Sequence, residues 1–399
     1  MQSNIVLKPD HSLVTHSSQP EWAYLPGLIL HLILDKLSEP IYRAWFAGVC
    51  KPWHLVAKDY NKTKQQLHKT LPMLMLSINR KHKTKKALYS VTEGKIFKNI
   101  NLNVFFAKRF SGFSHGWLAT VDEAMAITLV NPFKNPAPKI TLPSLRHSGR
   151  SCDSQFCVLK VILSADPTSS PNNYVVVTIY SGSNRLAFIK PKQEATWTYI
   201  DDNRIGFTDI IFYKSLVYAV GSRGWVVSFD VHGENNDSSQ QLKANALTPM
   251  SYVRDSMRAY FVESSKGDLL MVRRFGERKS GMNKETTETF EVRKLLINEL
   301  ENGSVKQVEV KSLGDETLFL GDNHSMSILA SHFPGCHPNS IYFTDDNIDT
   351  PPGSPYRPDG HFDMGIFFLE DGTFNQHYTP KRIHKYLAPP LWVVPPVLQ

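Results

Sequence analysis

The sequence has few cysteines and no long apolar run, and each shortage excludes a class of protein. Four cysteines occur in 399 residues, without a Cys-x-x-Cys pair, which is untypical of disulfide scaffolds and zinc ribbons and indicates buried free thiols. The best apolar run, Leu28–Leu34, contains a histidine and is followed by Asp35 and Lys36, so it is too short to span a membrane. The N-terminus lacks the layout of a signal peptide. We therefore expect a protein of the cytoplasm, the nucleus or both, with no membrane partner.

Catalytic signatures are equally scarce. The stretch Gly112–Gly116 reads G-x-S-x-G, the nucleophile elbow of α/β-hydrolases, which requires a strand before Ser114 and a helix after it. The following chain shows none of the helices of that fold, so we expect Ser114 in a turn that enters a strand. His332, Cys336 and His337 resemble zinc ligands, but no second cluster has metal-site spacing. We predict no catalytic residue, no metal and no cofactor.

The first part of the chain has a helical pattern. Residues 1–20 are polar and unpatterned, and we expect them to be disordered. From Leu25 to Leu37, apolar residues recur at steps of three and four, which predicts an amphipathic helix with Pro26 in its first turn. A second apolar stripe follows, and Pro52 starts a short third helix. Three helices within residues 21–62 cannot bury this much apolar surface alone, so part of it should meet a partner.

Residues 70–399 form a long series of short β-rich runs. Examples are "YVVVTIY", "LAFIK" and "GWVVSFDV", and many runs end at Gly, Asn or Asp. So many strands hide their edges best by radial repetition, in blades of about 40 to 45 residues. We predict a mainly β fold, in which a short N-terminal three-helix segment precedes a β-propeller of about seven blades, with six or eight as alternatives. The late "APPLWVVPPVLQ" could close the ring beside the early strand "PMLMLSI". Polar insertions at 164–173, 231–247, 276–288 and 345–363 are predicted to be loops.

The net charge of +8 comes from 45 basic and 37 acidic residues, and the excess is concentrated between Lys51 and Lys98. Its sharpest part is "RKHKTKK", Arg80–Lys86, between two strand-like runs. A solvated hairpin tip, a nuclear import signal and a nucleic-acid contact would each use such a run. Because no stacking aromatics accompany it, nucleic acid comes last, and we expect no nucleic-acid partner.

The two parts of the chain together resemble a known family. "WAYLPGLILHLILDKL" and "FAGVCKPWHLVA" are similar to an F-box. "SHGWLAT", "TLVNPF", "DIIFYKSLVYAV", "YFVESSKGDLLMVRRF" and "PPLWVVP" are similar to the propeller of plant F-box proteins of the KIB and Skp-interacting-partner type. The resemblance runs from about Trp22 to Pro396. It implies the substrate-recognition subunit of an SCF-type ubiquitin ligase, which docks on the Skp adaptor, and through it on cullin, and captures an unidentified target protein. Such a receptor is no enzyme, because a separate conjugating enzyme transfers ubiquitin by proximity.

The resemblance also implies which residues make contacts. On the propeller, Arg223 and Trp225 in "SRGW" are candidate target contacts, because Arg and Trp are enriched at binding hot spots. For Trp225 the alternative is packing between blades, and for Trp53 it is the internal core of the three helices. The expected adaptor contacts are Leu25, Pro26, Leu28, Ile29, Leu32, Ile33, Leu37, Val49, Cys50 and Trp53.

Two other classes of function stay open. One is a non-ligase interaction propeller with a degenerate F-box, in which Leu25 and Pro26 would be dispensable for adaptor recruitment. The other is a propeller enzyme or glycan binder, which should have converging carboxylates with strongly shifted pKa values in its channel.

Overall fold

The chain consists of two compact units, Met1–Gln66 with Val397–Gln399, and Leu67–Pro396. Residues 1–20, for which disorder is predicted, lie outside the described residues. The computed structural model describes residues 22–37, 39–65, 70–77, 86–98, 102, 110–134, 136–146, 157–180, 182–191, 196–200, 206–232, 243–248, 255–278, 285–298, 304–346, 363–378 and 390–395.

Three helices form the first unit, as the sequence predicts. They are α1 (Gly27–Lys36), α2 (Pro40–Ala47) and α3 (Lys51–Gln65), after a 3-10 turn at Trp22–Tyr24. Pro26 is the N-cap of α1 rather than part of its first turn. The third helix is the longest of the three rather than a short one, because Ala57 and Tyr60, one turn apart, extend its buried face. Among the described residues, no helix is both long and apolar enough to cross a membrane.

The described residues of the second unit form six sheets. The first three consist of β25 (Leu391–Val393), β1 (Met73–Ser77), β2 (Lys86–Ser90) and β3 (Lys95–Phe97); of β4 (Phe110–Ser114), β5 (Trp117–Val121), β6 (Ala126–Val130) and β7 (Lys139–Ser144); and of β8 (Val158–Leu163), β9 (Val176–Tyr180), β10 (Arg185–Ile189) and β11 (Thr198–Tyr199). The last three consist of β12 (Phe207–Tyr213), β13 (Leu216–Gly221), β14 (Val226–Phe229) and β15 (Asn245–Ala246); of β16 (Arg258–Glu263), β17 (Leu269–Arg278), β18 (Glu285–Ile297) and β19 (Val305–Glu309); and of β20 (Glu316–Leu320), β21 (Met326–Leu329), β22 (Ser340–Phe343), β23 (Gly365–Phe368) and β24 (Phe374–Asn375).

These sheets are the blades of a six-bladed propeller, numbered 1 to 6 in the order above. The edge strands β4, β8, β12 and β16 contact one another in succession, and β16 contacts β21, so these strands form the inner ring. Blade 6 departs from the regular pattern, because its order is β21-β20-β22-β23-β24 and β20 pairs with β22 in parallel. The expected count of seven blades was too high, and the alternative of six is confirmed. The first strands of blades 2 to 6 begin at residues 110, 158, 207, 258 and 316, so one repeat takes 48 to 58 residues.

The last strand closes the ring, as the sequence predicts. Strand β25 pairs with β1 in antiparallel register, with Leu74 opposite Trp392. The Trp392 side chain is fully buried, and its indole Nε1 donates to the carbonyl oxygen of Leu320 in blade 6 at 2.9 Å. Blade 1 also binds blade 6 through the Tyr89 hydroxyl, which donates to the carbonyl oxygen of His377 at 2.5 Å.

A second connection lies beside this closure, in the segment Gly321–Ser325 between β20 and β21. The Asn323 side-chain amide donates to the carbonyl oxygen of Trp392 at 2.5 Å. The Asn323 carbonyl oxygen accepts the backbone N–H of Phe113 in blade 2 at 3.1 Å. This segment therefore joins blade 6 to both blade 1 and blade 2.

Apolar clusters and buried polar groups hold neighbouring blades together. Five hydrophobic clusters among the described residues lie at the boundaries 2–3, 3–4, 4–5, 5–6 and 6–1. Asp209 on β12 is 1% exposed and connects three blades. Its carboxylate accepts from the Lys160 ammonium of blade 3 and from the backbone N–H of Phe261 in blade 5. Burial raises the pKa of Asp209, and the Lys160 ammonium opposes that rise.

One predicted loop is wrong. The described residues of 276–288 extend β17 and β18 into a long hairpin instead. A register irregularity between Phe275 and Gly276 allows the two strands to continue in pairs. The threonines of "ETTETF" favour a strand, and the partly buried Thr287 donates from its hydroxyl to Asp363 at 2.7 Å. Segment 164–173 connects β8 to β9, whereas 231–247 and 345–363 lie largely outside the described residues.

Gly112 provides a test of how closely blades 2 and 3 approach. It lies in β4, and a Cβ atom there would overlap the carbonyl group of Val161 in β8. We expect Gly112→Ala to lower the free energy of unfolding by about 2 to 3 kcal/mol through overpacking against backbone. The matched variant Gly182→Ala places its methyl where no atom lies within 4 Å, so its change should stay within about 0.5 kcal/mol. Urea unfolding followed by far-UV circular dichroism measures both, and equal midpoints would contradict the close approach.

Candidate functional site

An apolar face of α1 is exposed in the helical unit. The side chains of Leu28 and Leu32, one helical turn apart, are 75% and 55% exposed, and Ile29 is 41% exposed. Leu30 and Leu34 of the same helix are buried in the core of the unit. The helix is therefore apolar on two sides, and only one side meets the other two helices. The exposed apolar side is typical of a docking surface.

The ten predicted adaptor contacts fall into two groups. Pro26 and Val49 are exposed together with the three α1 residues of the apolar face. Cys50 is partly buried. The remaining four pack against the core of the unit while keeping part of their surface: Leu25, Ile33, Leu37 and Trp53. The structure thus brings the predicted set to one unit without testing whether an adaptor binds it.

Sequence reasoning missed four large exposed side chains in this unit. Trp22 and Tyr24 are 61% and 77% exposed, and Trp45 and Leu55 are 54% and 57% exposed. The signal was present for the first two, because they directly precede the Leu25-Pro26 pair in the quoted "WAYLP". Trp45 belongs to the second apolar stripe of the sequence, but only one side of the short helix α2 is buried, and Trp45 lies outside it.

Polar contacts join α1 to the other two helices of the unit. The Tyr60 hydroxyl of α3 donates to the Asp35 carboxylate of α1 at 2.6 Å. Burial and this bond raise the pKa of Tyr60 to about 12. The Arg43 guanidinium of α2 lies over the Tyr60 ring at 5.8 Å and donates from Nε to the Leu37 carbonyl oxygen at 2.8 Å. These contacts join all three helices at the C-terminal end of α1.

Ser114 lies in a tight β-hairpin rather than in a nucleophile elbow. It pairs with Trp117 across the two-residue turn His115-Gly116, whose φ angles are 49° and 80°. A positive φ at both positions is the requirement of a type I′ hairpin, which explains the glycine. The Ser114 hydroxyl bonds both the N–H and the carbonyl oxygen of Leu163 in blade 3, at 3.2 and 3.3 Å. The serine therefore links two blades.

The candidate target contacts on the propeller have different surroundings. Trp225 is 4% exposed and packs edge-on against Phe207, with ring centroids 4.7 Å apart. This arrangement favours the alternative of packing within the propeller. The Arg223 side chain is 45% exposed and donates from Nε to Asp255 at 2.7 Å, so it combines an exposed guanidinium with a carboxylate partner.

Carboxylates converge beside the inner strands, which is the feature expected of the enzyme alternative. Arg274 binds Asp346 at 2.6 Å and Asp363 at 2.9 Å, and Arg258 lies 3.5 Å from Asp322. Burial, with a contribution from the Asp363 charge, raises the pKa of Asp346 to about 8. Asp322 and Asp346 are each only 7% exposed. Because these acids are withdrawn from solvent and contact arginines of blade 5, they act as a cross-blade charge cluster.

Zinc ligation by His332, Cys336 and His337, which the sequence does not predict, has no support in the described residues, and most of the basic run lies outside them. Among them, no group of three metal-ligating side chains occurs. Burial raises the pKa of the Cys336 thiol to about 11, which disfavours the thiolate that zinc requires. Of the basic run, residues 80–85 lie outside the described part. Lys86 begins β2 and is buried, and burial lowers its pKa to about 8.

The architecture is that of a six-bladed propeller chain with a separate three-helix unit that exposes an apolar face. The family model of the KIB1-4 beta-propeller matches residues 88–368, so the chain belongs to the KIB1-4 β-propeller family. F-box protein At2g26160 of Arabidopsis thaliana is 26% identical over 82% of this chain and 96% of its own length. F-box protein At4g35733 is 24% identical over 82% and 89%, and F-box protein SKIP23 is 22% identical over 94% and 95%, both also from Arabidopsis thaliana. The resemblance to plant F-box proteins with a KIB-type propeller is thereby confirmed.

The two arginine ion pairs provide a matched test of the charge cluster. We expect Arg274→Met to destabilise the propeller by about 3 to 5 kcal/mol, because it leaves the buried Asp346 and the partly buried Asp363 without this arginine. Arg223→Met removes an exposed pair and should cost less than about 1 kcal/mol. Guanidinium unfolding monitored by circular dichroism compares them. Similar losses for both variants would show that the cluster is not a buried structural unit.

His377 gives the propeller a pH dependence. Its Nε2 donates to the Phe343 carbonyl oxygen at 3.1 Å, and burial lowers its pKa from 6.5 to about 4. The unfolded chain binds this proton at a higher pH than the folded chain does. The stabilisation is therefore complete above pH 6.5 and should fall by about 3 kcal/mol as the pH decreases to 4. Unfolding free energies between pH 4 and 7 measure it. His377→Gln should flatten this slope, and an unchanged slope would refute the assignment.

Proposed function

We propose that this chain is the substrate-recognition subunit of an SCF-type ubiquitin ligase. The helical unit docks on the Skp-type adaptor, and through it on cullin, while the propeller captures the protein to be ubiquitylated. The observation that carries the proposal is the exposed apolar face of α1, formed by Leu28, Ile29 and Leu32. The similarity to proteins named as F-box proteins supports the same assignment.

The chemistry of the α1 face suits a protein partner. Leucine and isoleucine side chains at 41% to 75% exposure gain about 25 cal/mol for each Å² of apolar surface that a partner covers. A complex of standard size buries on the order of 1,600 Å² in total. The rigid attachment of α1 to the other two helices lowers the ordering cost of such docking.

The receptor itself is non-catalytic in this proposal. Ser114 bonds the backbone of a neighbouring blade, and the acids near the inner strands contact arginines. Arg223 stays the candidate target contact on the propeller. The alternative is a non-ligase interaction propeller with a degenerate F-box, which shares the fold and differs in adaptor binding. Residence in the cytoplasm, the nucleus or both stays a prediction.

Co-purification of the full chain with a Skp-type adaptor tests the proposal. We expect the wild type to bind and Leu28→Glu/Leu32→Glu to lose at least a hundredfold in affinity, because two charges would be buried at the interface. Both leucines are exposed, so the variant should keep its fold. Leu25 packs partly against the core, which makes a Leu25→Ala/Pro26→Ala variant less clean.

Leu296→Glu is the matched control, because Leu296 is a 43% exposed leucine of the propeller. It should bind the adaptor as the wild type does. If the folded wild type does not bind, the ligase proposal fails and the interaction propeller takes its place. If the α1 variant binds as well as the wild type, docking uses another surface.

A further inference from the structure

Trp53 connects the third helix to the chain that leads into the apolar face. Its indole Nε1 donates to the carbonyl oxygen of Trp22 at 2.9 Å. Its ring packs on Phe46, with centroids 4.5 Å apart. The same Trp22 oxygen accepts the backbone N–H of Leu25 at 3.5 Å. One carbonyl group therefore ties α3 to the residues that open the docking surface.

The 3-10 turn at Trp22–Tyr24 has few restraints of its own. It contains no buried residue, and Tyr24 is 77% exposed. A single 3-10 turn has poorer hydrogen-bond geometry than an α-helix and is weak in isolation. Among the described residues, the long-range hydrogen bond to this turn comes from Trp53. Without it, the entry into Leu25 and Pro26 would sample many orientations, and binding would bear that ordering cost.

We propose that Trp53 is a positioning residue that presents the segment Trp22–Pro26 to the partner. It acts through its indole N–H and the Trp22 carbonyl group, rather than through direct contact with the partner. This inference rests on the proposed function, since the partner is the Skp-type adaptor. It differs from the sequence-based expectation, in which Trp53 itself touches the adaptor or only fills the core.

Removal of the indole N–H tests the role. Trp53→Phe keeps an aromatic ring on Phe46 and loses the donor, and 3-benzothienylalanine at position 53 keeps the bicyclic ring as well. We expect both to weaken adaptor binding by roughly five- to tenfold, the size of one neutral hydrogen bond. Trp197→Phe is the matched control, because it removes an indole bond of 2.8 Å to the Pro143 carbonyl oxygen within the propeller. Its affinity should equal that of the wild type.

A double-mutant cycle separates positioning from contact. In a Leu25→Ala/Pro26→Ala background, Trp53→Phe should cause no further loss of affinity, because the segment that it positions no longer contributes. An additive loss would mean that Trp53 touches the adaptor, and the inference would be wrong. Unchanged affinity of both single variants would also overturn it, and a lower unfolding midpoint alone would then mark Trp53 as core only.

The outcome for the wild type keeps the two proposals distinguishable. If the wild type binds and the variants at position 53 bind equally well, only the positioning inference fails. If the folded wild type does not bind, the proposed function fails, and positioning for docking fails with it. Calorimetric titration of the full chain with the adaptor gives each of these readings.

Discussion

The propeller depends on the pairing of its first strand with its last. Strand β1 lies between β2 and β25 in its sheet, so blade 1 gains its fourth strand only because β25 returns to it, and the fully buried Trp392 lies in that pair. A propeller blade is stable when both of its faces are covered, so one missing strand would leave two neighbouring blades incomplete. Tyr89 and His377, 288 residues apart, are joined by the same closure. The boundary between blades 1 and 6 therefore relies on contacts that are remote in sequence.

The two units of the chain differ in how completely they bury their apolar side chains. In the propeller, apolar strand residues are buried between blades, and the buried charges of Lys160 and Asp209 form an ion pair. In the helical unit, three helices leave leucines of α1 outside the core. Surface-to-volume scaling explains the difference, because so small a unit cannot cover all of its apolar side chains. In the proposed function, a partner protein covers these side chains.

Local patterns predicted what depends on local spacing. The sequence predicted the helical stripe of α1, which requires only an apolar period. It also predicted the return of "LWVVP" beside "MLMLS", which requires only a strand of matching length. The core residues Leu30 and Leu34 lie outside the predicted stripe, although Leu25, Ile33 and Leu37 of that stripe also pack against the core, because α1 is apolar on more than one side. The blade count was too high because connections stretch each repeat beyond 45 residues. The cluster of Arg274 with Asp346 and Asp363 joins positions 72 and 89 residues apart, and no periodicity reports such a pairing.

The segment Gly321–Ser325 affects how the ring responds to local opening. Because Asn323 reaches both Trp392 and Phe113, blade 6 is fastened to blade 2 across blade 1. A ring that is closed by two separate sets of contacts can break one of them transiently and stay closed. A transient separation of β1 from β25 would expose a strand edge on each, while the bonds of Asn323 keep blade 6 joined to β25 and to blade 2. Partial opening of this kind requires less free energy than global unfolding. It also limits the unpaired strand edge that is available for self-association.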